Sequence, residues 1–250
     1  MKINLITGGS RGLGRSMALH LADRGQDSII TYHSKKAEAD LVVQEIRAKG
    51  HKAVALQLDV SKANTFDAFA GEVKKALKAT WNSDTFDHLV NNAGTGMHAE
   101  ITAVTEAVFD DMMAIHLKAP FFLTQKLLPL MNDGGKILNV SSGLARFSFP
   151  GLAPYAMMKG GIEVFSRYLA KELGARRITA NTLAPGAIAT DFGGGRTRDN
   201  KEINANISGM TALGRVGLPD DIGALAAAML SEDLRWVNGQ RIEASGGFML

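Results

Sequence analysis

The amino-acid sequence predicts an α/β fold built on a doubly wound parallel sheet. Two observations support this prediction. Short apolar segments alternate with amphipathic segments along all 250 residues, and a glycine-rich turn joins the first segment of each kind. With 46% hydrophobic and 21% charged residues the composition is globular, and no linker or repeat interrupts the chain. One domain over residues 1–250 is therefore the simplest organisation.

The first unit carries the glycine-rich turn. Segment 3–6 is apolar and predicts a buried strand, and the amphipathic segment 15–24 predicts a helix. Gly8, Gly12 and Gly14 lie between them, where a missing Cβ permits positive φ and lets a diphosphate approach the backbone. The spacing is not the G-x-G-x-x-G of the usual dinucleotide motif, so a tight turn without a ligand is the alternative.

The second unit bears on the choice of nucleotide. Strand 28–31 leads to Tyr32, at the position where folds that prefer NAD usually have Asp or Glu to bind the ribose hydroxyls. No carboxylate would repel a 2′-phosphate there, and Arg11, Ser34 and Lys35 are able to donate to one. This pattern favours NADP over NAD. The alternative is that Lys35 only solvates a loop.

The remaining elements complete the alternation. Asp59 follows the third strand, where it would either face a ligand's base or be satisfied by local amides. The polar, glycine-bearing stretch 187–211 has little apolar periodicity and predicts an irregular, mobile lid over a ligand. The other predicted strands are 53–58, 88–90, 136–140, 178–183 and 240–243. The other predicted helices are 37–49, one through 66–77, 105–131 with a kink or break at Pro120, 155–173 and one from Pro219.

Tyr155 and Lys159 are candidates for proton transfer. Because they are four residues apart at the start of a predicted helix, their side chains share one face. An ammonium within about 4–6 Å of a phenol favours the phenolate and lowers a pKa that is ordinarily about 10. A surface pair without chemistry is the alternative.

Composition excludes several other classes of function. The net charge of +3 comes from no dense basic tract, so we expect no nucleic-acid partner. The absence of cysteine excludes disulfides, thiol nucleophiles and cysteine-ligated metals. The chain shows neither a leader peptide nor an apolar run of about 18 residues. We therefore expect a soluble, cytoplasmic protein without a membrane partner.

Several motifs in the right order resemble the short-chain dehydrogenase/reductase family over essentially the entire chain. Ser142, thirteen residues before Tyr155, stands where that family has its catalytic serine. The resemblance implies a seven-stranded Rossmann-type sheet flanked by helices, hydride exchange between a nicotinamide and a carbonyl or secondary alcohol, and no metal. The motifs are Thr7-Gly8-Gly9-Ser10-Arg11-Gly12-Leu13-Gly14, Asp59-Val60, Asn91-Asn92-Ala93-Gly94, Tyr155 with Lys159, and Pro185-Gly186 with Thr190.

The resemblance also implies a role for each matching residue. Ser142 would polarise the carbonyl oxygen, Tyr155 would give it a proton, and Lys159 would bind the nicotinamide ribose and lower the tyrosine pKa. His116 stands where the family has an Asn that holds a water behind the lysine, and ordinary packing is the alternative. The implied cofactor-binding residues are Thr7, Gly8, Ser10, Arg11, Gly12, Leu13, Gly14, Tyr32, His33, Ser34, Lys35, Asp59, Val60, Asn91, Ala93, Gly94, Tyr155, Lys159, Pro185, Gly186, Ile188 and Thr190.

The predicted substrate pocket is largely apolar, and it leaves the substrate unidentified beyond a small to medium carbonyl or alcohol. Its expected walls are Gly96, Met97, Leu144, Phe147, Phe149 and Phe192, of which Met97 or Phe149 could be plain core. Two other functions stay open: an NAD-dependent alcohol dehydrogenase of the same family, and a non-catalytic dinucleotide-binding sensor. The resemblance further implies a homo-oligomer, a dimer or tetramer joined through the long helices around the fifth strand.

Overall fold

A computed structural model describes all of residues 1–250. The expected sheet is confirmed: seven parallel strands lie in the order β3-β2-β1-β4-β5-β6-β7. Because the chain moves outward in opposite directions from β1 and β4, a crevice opens at the carboxyl ends of these two strands. The strands are β1 Ile3–Ile6, β2 Asp27–Tyr32, β3 Ala53–Gln57, β4 Phe86–Asn91, β5 Met131–Val140, β6 Thr179–Pro185 and β7 Arg241–Ala244.

Nine α-helices cover the two faces of the sheet. One core cluster packs α1, α2 and α9 against side chains such as Ile6 and Ile30, and the other packs α3, α5 and α6 against Leu5 and Ile29. None of the helices is long and apolar enough to cross a membrane. The helices are α1 Gly12–Asp23, α2 Lys36–Ala48, α3 Phe66–Trp81, α4 Glu106–Met113, α5 Ala119–Leu127, α6 Ala153–Glu172, α7 Arg196–Asp199, α8 Lys201–Gly209 and α9 Pro219–Met229.

The geometry of the strands explains why neighbouring residues of β1 belong to core clusters on opposite faces of the sheet. Successive side chains of a strand point to opposite faces, so a strand covered on both sides is apolar throughout. Leu5 pairs in register with Ile29 and Leu89, and this row lies in the core under α3 and α5, whereas Ile6 and Ile30 lie in the core under α1. All four side chains of β1 are buried, which anchors the turn that follows.

The helical segment before β5 is interrupted next to Pro120, as the expected kink or break implies. Residues Ala114–Lys118 form a π-helical turn between α4 and α5. Pro120 lies in the first turn of α5, where its missing N–H group breaks the regular hydrogen-bond pattern and the preceding turn widens. The distortion turns His116 inward, where it is buried.

The segment 187–211, called the lid below, is more ordered than predicted. Its first part contains Gly193, Gly194 and Gly195, all at positive φ, but α7 and α8 follow within it. The Asn200 side chain caps α8 by accepting a hydrogen bond from the Ile203 N–H group at 3.0 Å. The prediction of an irregular stretch was wrong because one polar cap starts a helix that has only a short apolar face.

Candidate active site

The glycine turn between β1 and α1 is packed too closely for side chains. A Cβ at Gly14 would overlap the carbonyl oxygen of Gly8 and lie 2.7 Å from the amide nitrogen of Asn92. Gly8 and Gly12 have φ values of +67° and +55°, which other residues rarely adopt. The predictions missed Gly9, where a Cβ would lie 2.7 Å from that of Ile30.

Thr7 and Asn92 fasten this turn to the end of β4. The Thr7 hydroxyl accepts hydrogen bonds of 2.9 Å from the backbone N–H groups of both Asn92 and Ala93. The Asn92 amide donates to the carbonyl oxygens of Thr7 and Gly8 at 2.9 and 3.2 Å. The side chain of Thr7 is therefore engaged within the protein. Asn92, which belongs to the predicted motif but not to the predicted cofactor-binding residues, does as much to shape the turn.

Asn91 does not present its side chain to the crevice as expected. Its amide donates to the Asn139 side chain at 2.8 Å and to the Thr124 hydroxyl at 3.1 Å. The residue is buried, and a buried amide needs such partners. Asn91 thus joins β4 to β5 and α5, and only its backbone is left for a ligand. Ala93 and the exposed Gly94 follow it toward the crevice.

The first turn of α1 is suited to an anion. Gly12, Leu13 and Gly14 begin this helix, and no side chain caps it: Arg11 occupies the cap position without a side-chain hydrogen bond. The first N–H groups of an uncapped helix lack partners and carry the positive end of the helix dipole. Together with the bare glycine backbone and the neighbouring Ser10, this geometry fits the diphosphate of a dinucleotide.

The rim around this turn carries exposed positive charge. Arg11 and Lys35 have side chains 54% and 58% exposed, and each lies beside a carboxylate: Arg11 is 3.6 Å from Asp191, and Lys35 is 2.9 Å from Glu38. Exposed pairs of this kind contribute little, so both cations can turn to a bound phosphate. Ser34 is exposed between them, whereas Tyr32 is buried in the core and leaves no carboxylate at the end of β2.

Asp59 is satisfied locally and stays ionised. One carboxylate oxygen accepts from the Ser61 N–H group at 3.0 Å and from its hydroxyl at 2.7 Å. This hydrogen bonding lowers the pKa of Asp59 against the opposing effect of burial. The other oxygen lies 3.7 Å from the imidazole of His33. The alternative that local groups satisfy the Asp59 carboxylate therefore holds for one of its oxygens. The next residue, Val60, is half-buried at the crevice.

The beginning of the lid lies against the glycine turn. A Cβ at Gly12 would be 3.8 Å from Thr190, whose hydroxyl accepts from the Phe192 N–H group at 3.2 Å. Pro185 ends β6, Gly186 packs against the backbone of Ser245, and Ile188 forms a bridge with Gly217. These contacts place the start of the lid on the same side of the crevice as α1.

Tyr155, Lys159 and Ser142 come together at the carboxyl end of β5. Tyr155 and Lys159 are only 8% and 5% exposed. The Lys159 ammonium donates to the carbonyl oxygen of Val140 at 2.8 Å and lies 5.5 Å from the centre of the Tyr155 ring. Ser142 starts a short 3₁₀ turn, and its hydroxyl accepts from the Leu144 N–H group at 3.2 Å and interacts with the Tyr155 phenol.

Burial reverses the predicted effect on the tyrosine. It raises the pKa of Tyr155 above its ordinary value of 10, and the interaction with Ser142 only partly opposes this rise. Burial also lowers the pKa of Lys159 from 10.5 to about 7. The expectation of a lowered tyrosine pKa was wrong because it counted the attraction between the two groups and left out their desolvation. Tyr155 thus holds its proton at neutral pH.

His116 lies against the same cluster. Its ring meets that of Tyr155 edge-on, with centroids 5.0 Å apart, and its Nε2 atom is 2.7 Å from the carbonyl oxygen of Thr95. Burial, with the charge of Lys159, lowers the pKa of His116 from 6.5 to about 3. The neutral ring donates from Nε2 to that carbonyl, so the buried Nδ1 atom, which has no partner, is an acceptor.

The predicted pocket walls form two groups. Met97 and Leu144 pack with Tyr155, and the lid residue Phe192 lies 5.6 Å from the Tyr155 ring and beside Gly96. Phe147 and Phe149 instead pack on each other, with centroids 6.1 Å apart, and on Phe248.

Sequence reasoning missed three buried apolar residues of these groups. Met112 and Met158 complete the small cluster around Tyr155, and Phe248 supports Phe147 and Phe149. The spacing of Met158 on the Tyr155 helix and the single aromatic residue in a glycine-rich tail were the available signals. No group of three or more His, Asp or Glu side chains forms a metal site.

Comparison with known proteins agrees with this geometry. A family model described as enoyl-(acyl carrier protein) reductase matches residues 8–249. The tetrahydroxynaphthalene reductase PfmaG of Pestalotiopsis fici is 37% identical over 257 residues, which cover 98% of this chain and 91% of that protein.

Two solved structures are similar over their whole length. The promiscuous reductase LugOII, which catalyses keto-reduction at C1 during lugdunomycin biosynthesis, has a TM-score of 0.94 and 36% identity, covering 100% of this chain and 98% of its own. The angucycline C-6 ketoreductase LanV, solved with bound NADP, has a TM-score of 0.94 and 35% identity, covering 99% and 95%.

Proposed function

This chain belongs to the short-chain dehydrogenase/reductase family, and we propose that it is an NADPH-dependent ketone reductase. The observation that carries the proposal is the buried pair Tyr155 and Lys159 beside Ser142 at the mouth of the crevice. A phenol that keeps its proton at neutral pH is the acid that carbonyl reduction requires.

The cofactor seat follows from the glycine turn. The diphosphate of NADPH would lie over Gly12, Leu13 and Gly14, where the backbone is bare and the helix is uncapped. Bound NADPH supplies the hydride that reduces the carbonyl carbon. Thr190 and Ile188, at the start of the lid, would border the nicotinamide end, and Asp59 and Val60 the adenine end.

Three side chains carry the proton chemistry. The Ser142 hydroxyl and the Tyr155 phenol would both donate hydrogen bonds to the substrate oxygen and polarise it. Tyr155 then gives its proton to that oxygen as negative charge develops there. The Lys159 ammonium, 5.5 Å from the tyrosine ring, stabilises the resulting phenolate and uses its remaining N–H groups to bind the ribose.

His116 acts as a positioning residue in this proposal. Its Nδ1 atom is a buried acceptor without a partner, and a buried polar atom of this kind is ordinarily satisfied by ordered water. A water held there, beside Tyr155 and Lys159, would connect the lysine to the proton path. The imidazole of His116 would thus hold the water that the family's asparagine amide holds.

The preference for NADPH rests on the rim. Arg11 and Lys35 are exposed near the end of β2, and Tyr32 stands where a carboxylate would repel a 2′-phosphate. LanV, with which the chain shares its fold over its whole length, binds NADP. We infer the same cofactor here.

The substrate class follows from the walls. Met97, Leu144 and Phe192 lie around Tyr155, and no unpaired charge is among them. Flat apolar walls favour a neutral, flat substrate. PfmaG is named a tetrahydroxynaphthalene reductase, LugOII a reductase for keto-reduction at C1 during lugdunomycin biosynthesis, and LanV an angucycline C-6 ketoreductase. We propose a bicyclic or polycyclic aromatic ketone as the substrate, with the lid closing over it.

We also propose that the protein forms a homo-oligomer through α5 and α6. These neighbouring helices expose large apolar side chains, Phe121 and Phe122 on α5 and Val164 and Tyr168 on α6. Exposed apolar patches of this size mark association sites. Light scattering during gel filtration tests the proposal, because Phe122→Glu with Val164→Glu should give the mass of a monomer.

The function is tested by titrating the protein with NADPH and NADH in parallel, followed by fluorescence and thermal shift. Turnover is then measured on 1-tetralone and its hydroxylated analogues as loss of NADPH absorbance. Tighter binding of NADPH and turnover of these ketones are expected. Preference for NADH with alcohol oxidation would favour the dehydrogenase alternative, and binding without any turnover would favour a dinucleotide sensor.

A further inference from the structure

We propose that Phe248 is a positioning residue that sets the width of the substrate cleft, because it joins the aromatic residues behind Ser142 to the end of the lid. The inference rests on the proposed function, since it assigns the cleft to a ketone. The aromatic wall below means Phe147 and Phe149, and the tail means residues 245–250.

The ring of Phe248 supports both members of the aromatic wall. It is 3% exposed, and its centroid lies 4.9 Å from that of Phe147 and 5.9 Å from that of Phe149, on which it stacks at 27°. Phe147 in turn fills the space beside Gly143, where a Cβ would meet the ring at 2.5 Å. Since Gly143 directly follows Ser142, Phe248 supports the loop that carries the serine.

The backbone of the tail is paired with the far end of the lid. Phe248 forms an antiparallel bridge with Thr211. The fit is close, because a Cβ at Gly247 would lie 2.7 Å from that of Ala212. Three hydrogen bonds of 3.0–3.2 Å join the tail to the last residues of the lid and the two residues after it: Met249 N to Met210 O, Ala212 N to Gly247 O and Leu213 N to Gly246 O.

Arg146 fixes the same residue from the side of the serine loop. Its guanidinium donates to the carbonyl oxygen of Phe248 at 3.3 Å and binds both carboxylate oxygens of Glu243 at 2.9 and 3.0 Å. Burial would raise the pKa of Glu243, but its hydrogen bonds, first among them that with Arg146, lower it to about 2. A bidentate arginine–carboxylate pair of this kind has a defined geometry.

A second arginine extends this network under the catalytic serine. Arg241 donates to Glu243 at 2.8 Å and to Glu163 at 2.7 Å. Glu163 also accepts from the hydroxyl of Ser141 at 2.8 Å. The peptide that carries Ser142 and the backbone of Phe248 are therefore tied to one set of ion pairs.

Phe248 thus packs its ring on the aromatic wall, while the backbone groups of its neighbours Gly247 and Met249 hold the end of the lid. Removing the ring takes away contacts with Phe147 and Phe149 together, and aromatic pairs carry a stabilisation beyond their burial. The wall and the lid would then move apart. The cleft would bind a large flat ketone less well. NADPH binding would not change, because none of these contacts of Phe248 involves the glycine turn between β1 and α1.

The experiment compares the wild type with Phe248→Leu, with Phe248→Met as the conservative variant and Phe69→Leu as a matched core control. Phe69 is 5% exposed on α3, away from the site. We measure KM and kcat on 1-tetralone and on a tricyclic ketone, the Kd for NADPH, and the rate at which trypsin cuts the lid after Arg196, Arg198 and Lys201.

For Phe248→Leu we expect KM for the tricyclic ketone to rise about tenfold, with a smaller rise for 1-tetralone. The Kd for NADPH should not change, trypsin should cut the lid faster, and Phe248→Met should fall between, because its sulfur still packs on the rings. Unchanged KM and unchanged cleavage in Phe248→Leu, or equal effects in Phe69→Leu, would overturn the proposal. If the wild type turns over no ketone, the proposed function fails, and the cleavage rates alone decide whether Phe248 holds the lid.

Discussion

The buried cluster around Tyr155 and the exposed rim around Arg11 use charge in opposite ways. In the cluster, burial dominates: it raises the pKa of Tyr155 and lowers the pKa of Lys159 to about 7. On the rim, Arg11 and Lys35 are more than half exposed and pair with carboxylates that solvent screens. Burial shifts the pKa values of the reactive groups, whereas a phosphate on the rim would be bound by several weak, solvent-exposed contacts.

If this contrast holds, removal of one buried group should cost far more than removal of one rim group. Tyr155→Phe deletes the proton donor and keeps the ring in its place. We expect kcat for ketone reduction to fall by about 10³–10⁴, with the Kd for NADPH unchanged, measured by steady-state kinetics and fluorescence titration. Tyr168→Phe, at an exposed tyrosine, is the control. A loss of less than about tenfold would show that another group supplies the proton.

The glycine turn that we propose binds NADPH should be nearly as sensitive to substitution as the buried cluster. In Gly14→Ala the new methyl group would overlap the backbone of Gly8, so the turn must open and its N–H groups lose their alignment. We expect NADPH affinity to fall by about 100-fold, with a lower melting temperature. Gly71→Ala is a matched change in open space on α3 and should raise stability by about 0.5–1 kcal/mol. Full NADPH affinity in Gly14→Ala would contradict the proposal that the diphosphate of NADPH binds at this turn.

The rim itself should respond in small, additive steps. Arg11→Ala and Lys35→Ala each remove one exposed contact to the 2′-phosphate. Each should reduce the preference for NADPH over NADH by about three- to tenfold, with the Kd for NADH unchanged. Parallel titrations at two salt concentrations measure the effect. Added salt should weaken NADPH binding more than NADH binding, because both nucleotides carry the diphosphate and only NADPH carries the 2′-phosphate. Equal losses for both nucleotides would mean that these residues do not read the phosphate.

Burial in the cluster should also affect stability in acid. Because the pKa of folded His116 is about 3 against an ordinary 6.5, the unfolded chain takes up a proton between these values and the folded chain does not. Stability should therefore fall as the pH drops below about 6.5, by up to about 1.4 kcal/mol per pH unit from this group. Urea unfolding of His116→Asn should show a flatter dependence of stability on pH than the wild type. Identical slopes in His116→Asn and the wild type would contradict the burial of His116.

The sequence predicted best what depends on the backbone. Glycine lacks a Cβ, which permits positive φ and close approach of the backbone. Gly8, Gly12 and Gly14 lie where the first strand meets the first helix, so their role in the turn could be predicted. The spacing of Tyr155 and Lys159 likewise places them on one helix face. The family resemblance and the seven-stranded sheet are confirmed by the comparisons and the topology.

What could not be deduced depends on contacts between distant segments. The burial that raises the pKa of Tyr155 comes from side chains such as Met112 and His116 on another helix. Asn91 is bound by Asn139 and Thr124, and Asn92 by the backbone of Thr7 and Gly8, so which amide faces the crevice depends on partners that are distant in the sequence. The helix α8 depends on the cap at Asn200 more than on a periodic pattern. The individual roles of the site residues stay predictions until they are tested.

The most direct test of the central claim is an ultraviolet difference titration of Tyr155. The absorbance of phenolate is followed from neutral to alkaline pH in the wild type and in Tyr155→Phe. If burial keeps this tyrosine protonated, the difference between the two proteins should show no phenolate up to about pH 10, the ordinary pKa of the phenol. A transition with a midpoint near neutral pH would contradict the account, because Tyr155 would then be a base at rest.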